Sequence, residues 1–255
     1  MLYANNQGVR IHYEVEGDGP PLMLLHGYSG NLKSWHRCGY VDSLKNDYNL
    51  ILIDARGHGA SDKPHDPEVY ELKLLVADIA VVLDDLNISK AHFLGYSMGG
   101  RIGFGIAKYA PERFYSLIIG GAHPYLWDSN ELDTDLQLFK RGKDAVIKAW
   151  EKAGMKMTPE TKAHLAANDY EAIAALLSAK HWRLSLEDVL PTMTMPCLVF
   201  VGEADPLYAG AKECVKSMAN ATFISFPGLS HVEVMTQRHL VLPHITKFLA
   251  KIRQT

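Results

Sequence analysis

Long apolar runs are absent from this sequence. No stretch approaches the roughly 18 consecutive apolar residues that cross a bilayer, so no membrane span is expected. The opening segment, Met1-Leu2-Tyr3-Ala4-Asn5-Asn6, carries no basic region leading into an apolar one, and no secretory leader is read from it. Cysteine is scarce. Cys38, Cys197 and Cys214 are the 3 present. They are far apart, odd in number and without metal-ligand spacing, which argues against a disulfide framework or a zinc site and for reduced thiols in the cytoplasm. Nor is one charge in excess. The 26 basic and 29 acidic side chains leave a formal net charge of −3. A chain without a basic surplus is a poor partner for nucleic acid, whose binding rests on phosphate neutralisation.

What is present is an ordinary globular composition, 47% apolar over 255 residues, which fits one large α/β domain or two small ones. The runs Leu22-Met23-Leu24-Leu25, Leu50-Ile51-Leu52-Ile53, 91–95, Leu117-Ile118-Ile119 and 197–201 are continuous rather than alternating. Strands of a parallel sheet read this way when helices cover both faces. Segments 9–15 and 221–226 add further strands. Helices are expected over 32–46, 72–86 and 98–109. In the second, Leu75, Ile79, Val82, Leu83 and Leu86 share one face. The third stops before Ala110-Pro111, where a helix should end. Such alternation predicts right-handed βαβ crossovers.

From 123 to 191 the strand pattern lapses. Segments 131–153, 159–167 and 170–180 read as helices, separated by Gly154 and by Asn168-Asp169. The block is too long for an ordinary connection. It is read as an inserted helical cap, 123–191, on a core formed by 1–122 and 192–255. A terminal helix is expected over 234–252, interrupted at Pro243.

Gly95-Tyr96-Ser97-Met98-Gly99 matches the nucleophile elbow G-x-S-x-G. The serine must stand at the apex of a sharp strand-to-helix turn, and small residues two positions either side let the backbone fold back. A serine hydroxyl is a weak nucleophile, so it needs a base, and the base needs an orienting carboxylate. Position selects His231, just past the last strand and the turn Pro227-Gly228-Leu229-Ser230. His92, His239 and His244 are read as packing or surface residues. Asp205 follows the penultimate strand and is favoured as the carboxylate over its neighbour Glu203. Ser97, Asp205 and His231 then stand in the order nucleophile, acid, base. His26-Gly27-Tyr28-Ser29-Gly30 follows an early strand, and the backbone N–H of Tyr28 can pair with that of Met98 as an oxyanion hole. The polar turn 54–62 lacks both a third metal ligand and a P-loop lysine, so it is read as a structural loop with Arg56 and Asp62 as anchors. No metal and no cofactor is expected.

Taken together, these motifs closely resemble the α/β-hydrolase superfamily, over nearly the whole chain. The resemblance implies a mostly parallel eight-stranded sheet flanked by helices, a helical cap after the sixth strand, and cofactor-free catalysis. The chain looks most like the compact carboxylesterase, enol-lactonase and cofactor-free haloperoxidase groups. Serine at position 97 departs from haloalkane dehalogenases and epoxide hydrolases, which use aspartate. Arg101, four residues past the serine, resembles the elbow of menaquinone-pathway synthases that eliminate pyruvate. Those enzymes also bind carboxylates with cap arginines, for which Arg141 and Arg183 are the only candidates here. A hydrolase-fold small-molecule receptor is the non-enzymatic alternative.

The expected substrate is a small ester. Tyr96 flanks the serine, Tyr125 and Trp127 open the cap, and Met157 and Trp182 lie within it. An aromatic, roofed pocket of this kind should favour acyl chains of roughly two to six carbons, since each buried methylene contributes about 0.8 kcal/mol until the pocket ends.

Overall fold

The computed structural model describes residues 1–152 and 157–252. Eight strands form one sheet: β1 (Leu2–Asn6), β2 (Val9–Glu16), β3 (Pro21–Leu25), β4 (Asn49–Ile53), β5 (Ala91–Tyr96), β6 (Phe114–Gly120), β7 (Cys197–Gly202) and β8 (Ala221–Phe226). Their spatial order is β1-β2-β4-β3-β5-β6-β7-β8. β1, β2 and β4 pair antiparallel, and every other pairing is parallel. The continuous apolar runs now have their reason. Met23, Leu25, Ile51, Ile53, Phe93, Leu117 and Ile119 pack into one core layer. Leu22, Leu24, Leu50, Leu52, Leu94 and Ile118, one residue out of step, pack into the other. β1, a short edge strand, was not anticipated from its sequence.

Helices cover both faces: α1 (Lys33–Arg37), α2 (Tyr40–Leu44), α3 (Leu72–Asp85), α4 (Met98–Tyr109), α5 (Ser129–Lys140), α6 (Lys143–Lys152), α7 (Pro159–Ala166), α8 (Tyr170–Ser178), α9 (Tyr208–Cys214), α10 (His231–Thr236) and α11 (Arg238–Ile252). The helix expected over 32–46 is two, parted at Cys38-Gly39. That expected over 131–153 is also two, because Gly142 takes a left-handed φ of +80° that ends α5. Its expected end at residue 153, and the Gly154 break, lie outside the described residues. The terminal helix breaks at Gln237 rather than at Pro243. Pro243 forfeits one backbone bond inside α11, and burial of Val241, Leu242, Ile245, Phe248 and Leu249 offsets that loss.

Helices α5 to α8 intervene between β6 and β7, where the cap was expected. Their starts are specified locally. Asp128 accepts from the N–H of Asn130 and Glu131, Thr158 from that of Thr161, and Asp169 from that of Ala172. Among the described residues, no helix is long and apolar enough to cross a membrane.

Candidate active site

β5 ends at Tyr96, and Ser97 stands alone between it and α4, with φ +56° and ψ −114°. Positive φ is costly for a residue with a side chain, and such strain gathers at functional sites. Two glycines permit it. A Cβ on Gly95 would lie 2.2 Å from the Gly99 carbonyl oxygen, and one on Gly99 would lie 2.2 Å from that of Leu25. Each would collide with backbone, which cannot yield as a flexible side chain could. The Ser97 N–H is fixed on Gly120 O at 2.8 Å. The side chain thus sits at the positive end of the α4 dipole, where developing negative charge is stabilised.

Asp205 follows β7, with its side chain shut off from solvent. Its Oδ2 lies 2.7 Å from His231 Nδ1, and its Oδ1 accepts the Leu207 N–H at 2.9 Å. A carboxylate only accepts, so Nδ1 is the donor in this contact. His231 begins α10, which Ser230 and Glu233 start as a reciprocal capping box. The Tyr96 hydroxyl donates to the His231 carbonyl. Glu203, the competing carboxylate, accepts instead from Ser225 Oγ at 2.8 Å on the exposed side. Ser97 and His231 line one cavity of about 430 Å³, together with Tyr28 and Tyr96.

The segment after β3 closes over the serine. A Cβ on Gly27 would lie 3.1 Å from that of Ser97. Among the described residues, the N–H groups of Tyr28 and Met98 have no protein acceptor. Two buried histidines brace this segment. His26 Nδ1 donates to Gly27 O at 2.7 Å, while its Nε2 accepts the Ala55 N–H at 3.1 Å. His58 Nδ1 donates to Arg56 O at 3.0 Å, while its Nε2 accepts the Ser29 N–H at 3.1 Å. Each ring therefore has one donor and one acceptor nitrogen and is neutral. Burial lowers the pKa of both, that of His58 to about 3.

The turn 54–62 is structural, and its role is to hold this segment. Asp54 accepts from the N–H of Leu32 and Ala60 and from His12 Nδ1, each at 2.8 Å. Arg56 forks onto buried Asp78 at 2.6 and 2.9 Å, and Asp62 pairs with Arg10. The helical layer grips from the other side, by contacts that sequence reasoning missed. The Tyr28 hydroxyl donates to Asp135 Oδ2 at 2.8 Å, and His164 Nε2 and Asn168 Nδ2 both donate to Ser29 O at 2.9 Å.

Of the bulky residues expected at the substrate, Tyr96 is in the cavity wall. Tyr125, Trp127, Trp182 and Met157 are not; Trp150, Thr161, His164 and Leu165 represent the helical layer there instead. Trp182 is 1% exposed and stacks edge-on against Trp127 with ring centroids 5.1 Å apart. Trp182 lies by Arg101, whose guanidinium sits 5.6 Å from its ring centroid. Arg101 is fully buried and donates to four carbonyls: His123 (3.4 Å), Tyr125 (3.1 Å), His181 (2.9 Å) and Leu184 (2.6 Å). It ties the elbow helix to both ends of the helical insertion. It is not a carboxylate ligand in the cavity, as the synthase comparison required. Arg183 is also engaged, with Asp133 at 2.6 Å. Away from the cavity, Glu14, Glu16 and His36 bring three ligand atoms within 4.8 Å of one another, but Lys33 already bonds both Glu14 oxygens.

The alpha/beta hydrolase fold, as a family, matches residues 20–152. Epoxide hydrolase 4 of Mus musculus is 38% identical over 138 residues, 53% of this chain and 38% of that protein, so the chain spans well under half of that relative. A Bacillus subtilis (strain 168) protein, provisionally named a 2-succinyl-6-hydroxy-2,4-cyclohexadiene-1-carboxylate synthase, is 26% identical over 266 residues, 95% of this chain and 96% of its own. The crystal structure of the enol-lactonase from Burkholderia xenovorans LB400 superposes with a TM-score of 0.86 at 22% identity, covering 98% of this chain and 100% of the other. At that identity the superposition speaks for the fold alone.

Proposed function

This chain belongs to the alpha/beta hydrolase family, and from that premise we propose that it is a serine hydrolase of carboxylic esters acting through an acyl-enzyme. The observation that carries the reading is the 2.7 Å contact between Asp205 and His231, whose ring lines the same cavity as Ser97 at a strained elbow. In this mechanism His231 Nε2 takes the Ser97 proton as the hydroxyl attacks the ester carbonyl. The N–H groups of Tyr28 and Met98 receive the oxyanion, and the protonated histidine then delivers its proton to the departing alkoxide. Water, activated by the same nitrogen, releases the acid. Asp205 holds the tautomer and balances the transient imidazolium.

A cavity of about 430 Å³ lies in the lower part of the range for small-molecule sites, roughly 300–1,000 Å³. This favours short acyl chains, of roughly two to six carbons, over long-chain glycerides. The pyruvate-eliminating reading keeps the similarity to the Bacillus protein but loses its arginine, since Arg101 is spent on carbonyls. Hydrolysis of 4-nitrophenyl esters from acetate to palmitate and of simple lactones, with Ser97→Ala as control, tests the proposal. Serine-dependent turnover confined to short chains supports it, and activity that survives Ser97→Ala contradicts it.

A further inference from the structure

We infer that the cavity takes esters or lactones bearing a carboxylate, with Arg37 as the group that receives it. This inference rests on the hydrolase reading and narrows its substrate class. Arg37 ends α1 and lines the same cavity as Ser97 and His231. Its helix neighbours are engaged elsewhere: Lys33 bonds Glu14 at 2.7 Å, and His36 faces Glu16 at 3.3 Å and Glu14 at 3.9 Å. Arg37 has no carboxylate partner among the described residues. Its hydrogen bond there is to Ser34 Oγ at 2.8 Å, from Nη2.

The lining sharpens the point. In a chain of net charge −3, the described residues around this cavity include no aspartate and no glutamate. His26 and His164 in the wall carry no competing charge, since burial lowers the pKa of both. His26 is a neutral donor–acceptor as described. His164 donates from Nε2 to Ser29 O and can accept from Asn31 through Nδ1 at 3.4 Å. Any charge His231 gains is matched by Asp205. Among the described residues Arg37 is thus the permanent charge in the wall, and a guanidinium with free N–H groups matches a carboxylate by paired hydrogen bonds. Its exposed position suits the cavity mouth, where a terminal carboxylate can remain partly hydrated while the ester carbonyl reaches the serine. The same exposure makes the expected gain moderate.

The test is a selectivity ratio. For a carboxylate on the acyl half, kcat/KM is measured on mono-4-nitrophenyl succinate against 4-nitrophenyl valerate. For one on the leaving half, 3-acetoxybenzoate is compared with phenyl acetate. In at least one pair, Arg37→Gln should lower the anionic-to-neutral ratio on the order of tenfold, chiefly through KM, and Arg37→Lys should keep part of it. Added salt should shrink the wild-type ratio but not that of Arg37→Gln. Ratios equal in wild type and Arg37→Gln for both pairs overturn the inference while leaving the serine mechanism standing. If the wild type cleaves none of the four esters, the hydrolase reading fails. Calorimetric titration with glutarate then decides the cation site alone: weaker binding to Arg37→Gln upholds it, and equal or absent binding to both proteins rejects it.

Discussion

Asp205 Oδ2 and His231 Nδ1 are 2.7 Å apart, the carboxylate sealed from solvent and the imidazole half-buried at the cavity. The asymmetry suits the proposed roles of a carboxylate that orients and a ring that meets the substrate. Asp205→Asn should lower kcat by about 10³- to 10⁴-fold with little change in KM, because the amide can favour the wrong tautomer. Steady-state kinetics on a short-chain ester checks this. Near-full activity would reassign the role to another carboxylate.

Arg101 is expected to act on stability. Arg101→Met strips the donors from the carbonyls of His123, Tyr125, His181 and Leu184. A buried acceptor left unpaired costs about 1–3 kcal/mol, and the His181 bond is the buried one of the four, so a loss of about 1–3 kcal/mol is predicted, read as a lowered Tm and faster proteolysis of the helical insertion. A variant of unchanged Tm that had lost activity only toward carboxylate substrates would restore the ligand role.

Gly99→Ala should disable the elbow. The new Cβ would meet Leu25 O at 2.2 Å, far inside contact distance. Either α4 shifts or the Ser97 backbone relaxes, and ester turnover should fall at least about a hundredfold, since an error of about 1 Å in placement costs that much. Wild-type turnover in a folded Gly99→Ala protein would contradict the close approach.

Trp150 bounds the cavity from α6. Trp150→Ala should open it and move the acyl optimum to longer chains. With about 0.8 kcal/mol per methylene, two further carbons accommodated would raise the octanoate-to-butyrate ratio of kcat/KM about tenfold. An unchanged profile would place the end of the pocket elsewhere.

Acid should destabilise the fold below neutrality. Burial is the main cause lowering the pKa of His26, His58, His123, His164 and His181, to about 3 for His58 and His181 and about 4 for His123 and His164. Between an unfolded value near 6.5 and these folded values, the unfolded chain binds more protons. Stability therefore rises with pH across that window and is lost as pH falls through it, by up to about 1.4 kcal/mol per pH unit for each histidine. Urea denaturation at pH 7, 6 and 5 measures the slope, and His181→Phe should reduce it. A flat profile would show that these rings titrate freely.

The parallel strands were legible because burial on both faces leaves unbroken apolar runs, as in Leu50-Ile51-Leu52-Ile53. β1 was not, because an edge strand containing Asn5 and Asn6 has no such signature. The motif order around Ser97, Asp205 and His231 was readable because each residue follows a strand at the same sheet edge. The cavity wall was not, since His164, Asn168 and Asp135 reach Ser29 and Tyr28 across more than a hundred positions. The place of Arg101 was not legible for a related reason. Nothing local distinguishes an arginine aimed at substrate from one satisfied by carbonyls 80 and 83 residues away. Arg37 went unnoticed because a basic residue beside Lys33 and His36 looks like an ordinary solvated helix face.

The proposed acyl-enzyme chemistry turns on Ser97, and a fluorophosphonate interrogates it directly. Intact-mass analysis after brief exposure should show one adduct on the wild-type protein, peptide mapping should place it on Ser97, and folded Ser97→Ala should stay unmodified. Equal labelling of the two proteins, or no labelling of folded wild type, would contradict the assignment of Ser97 as nucleophile.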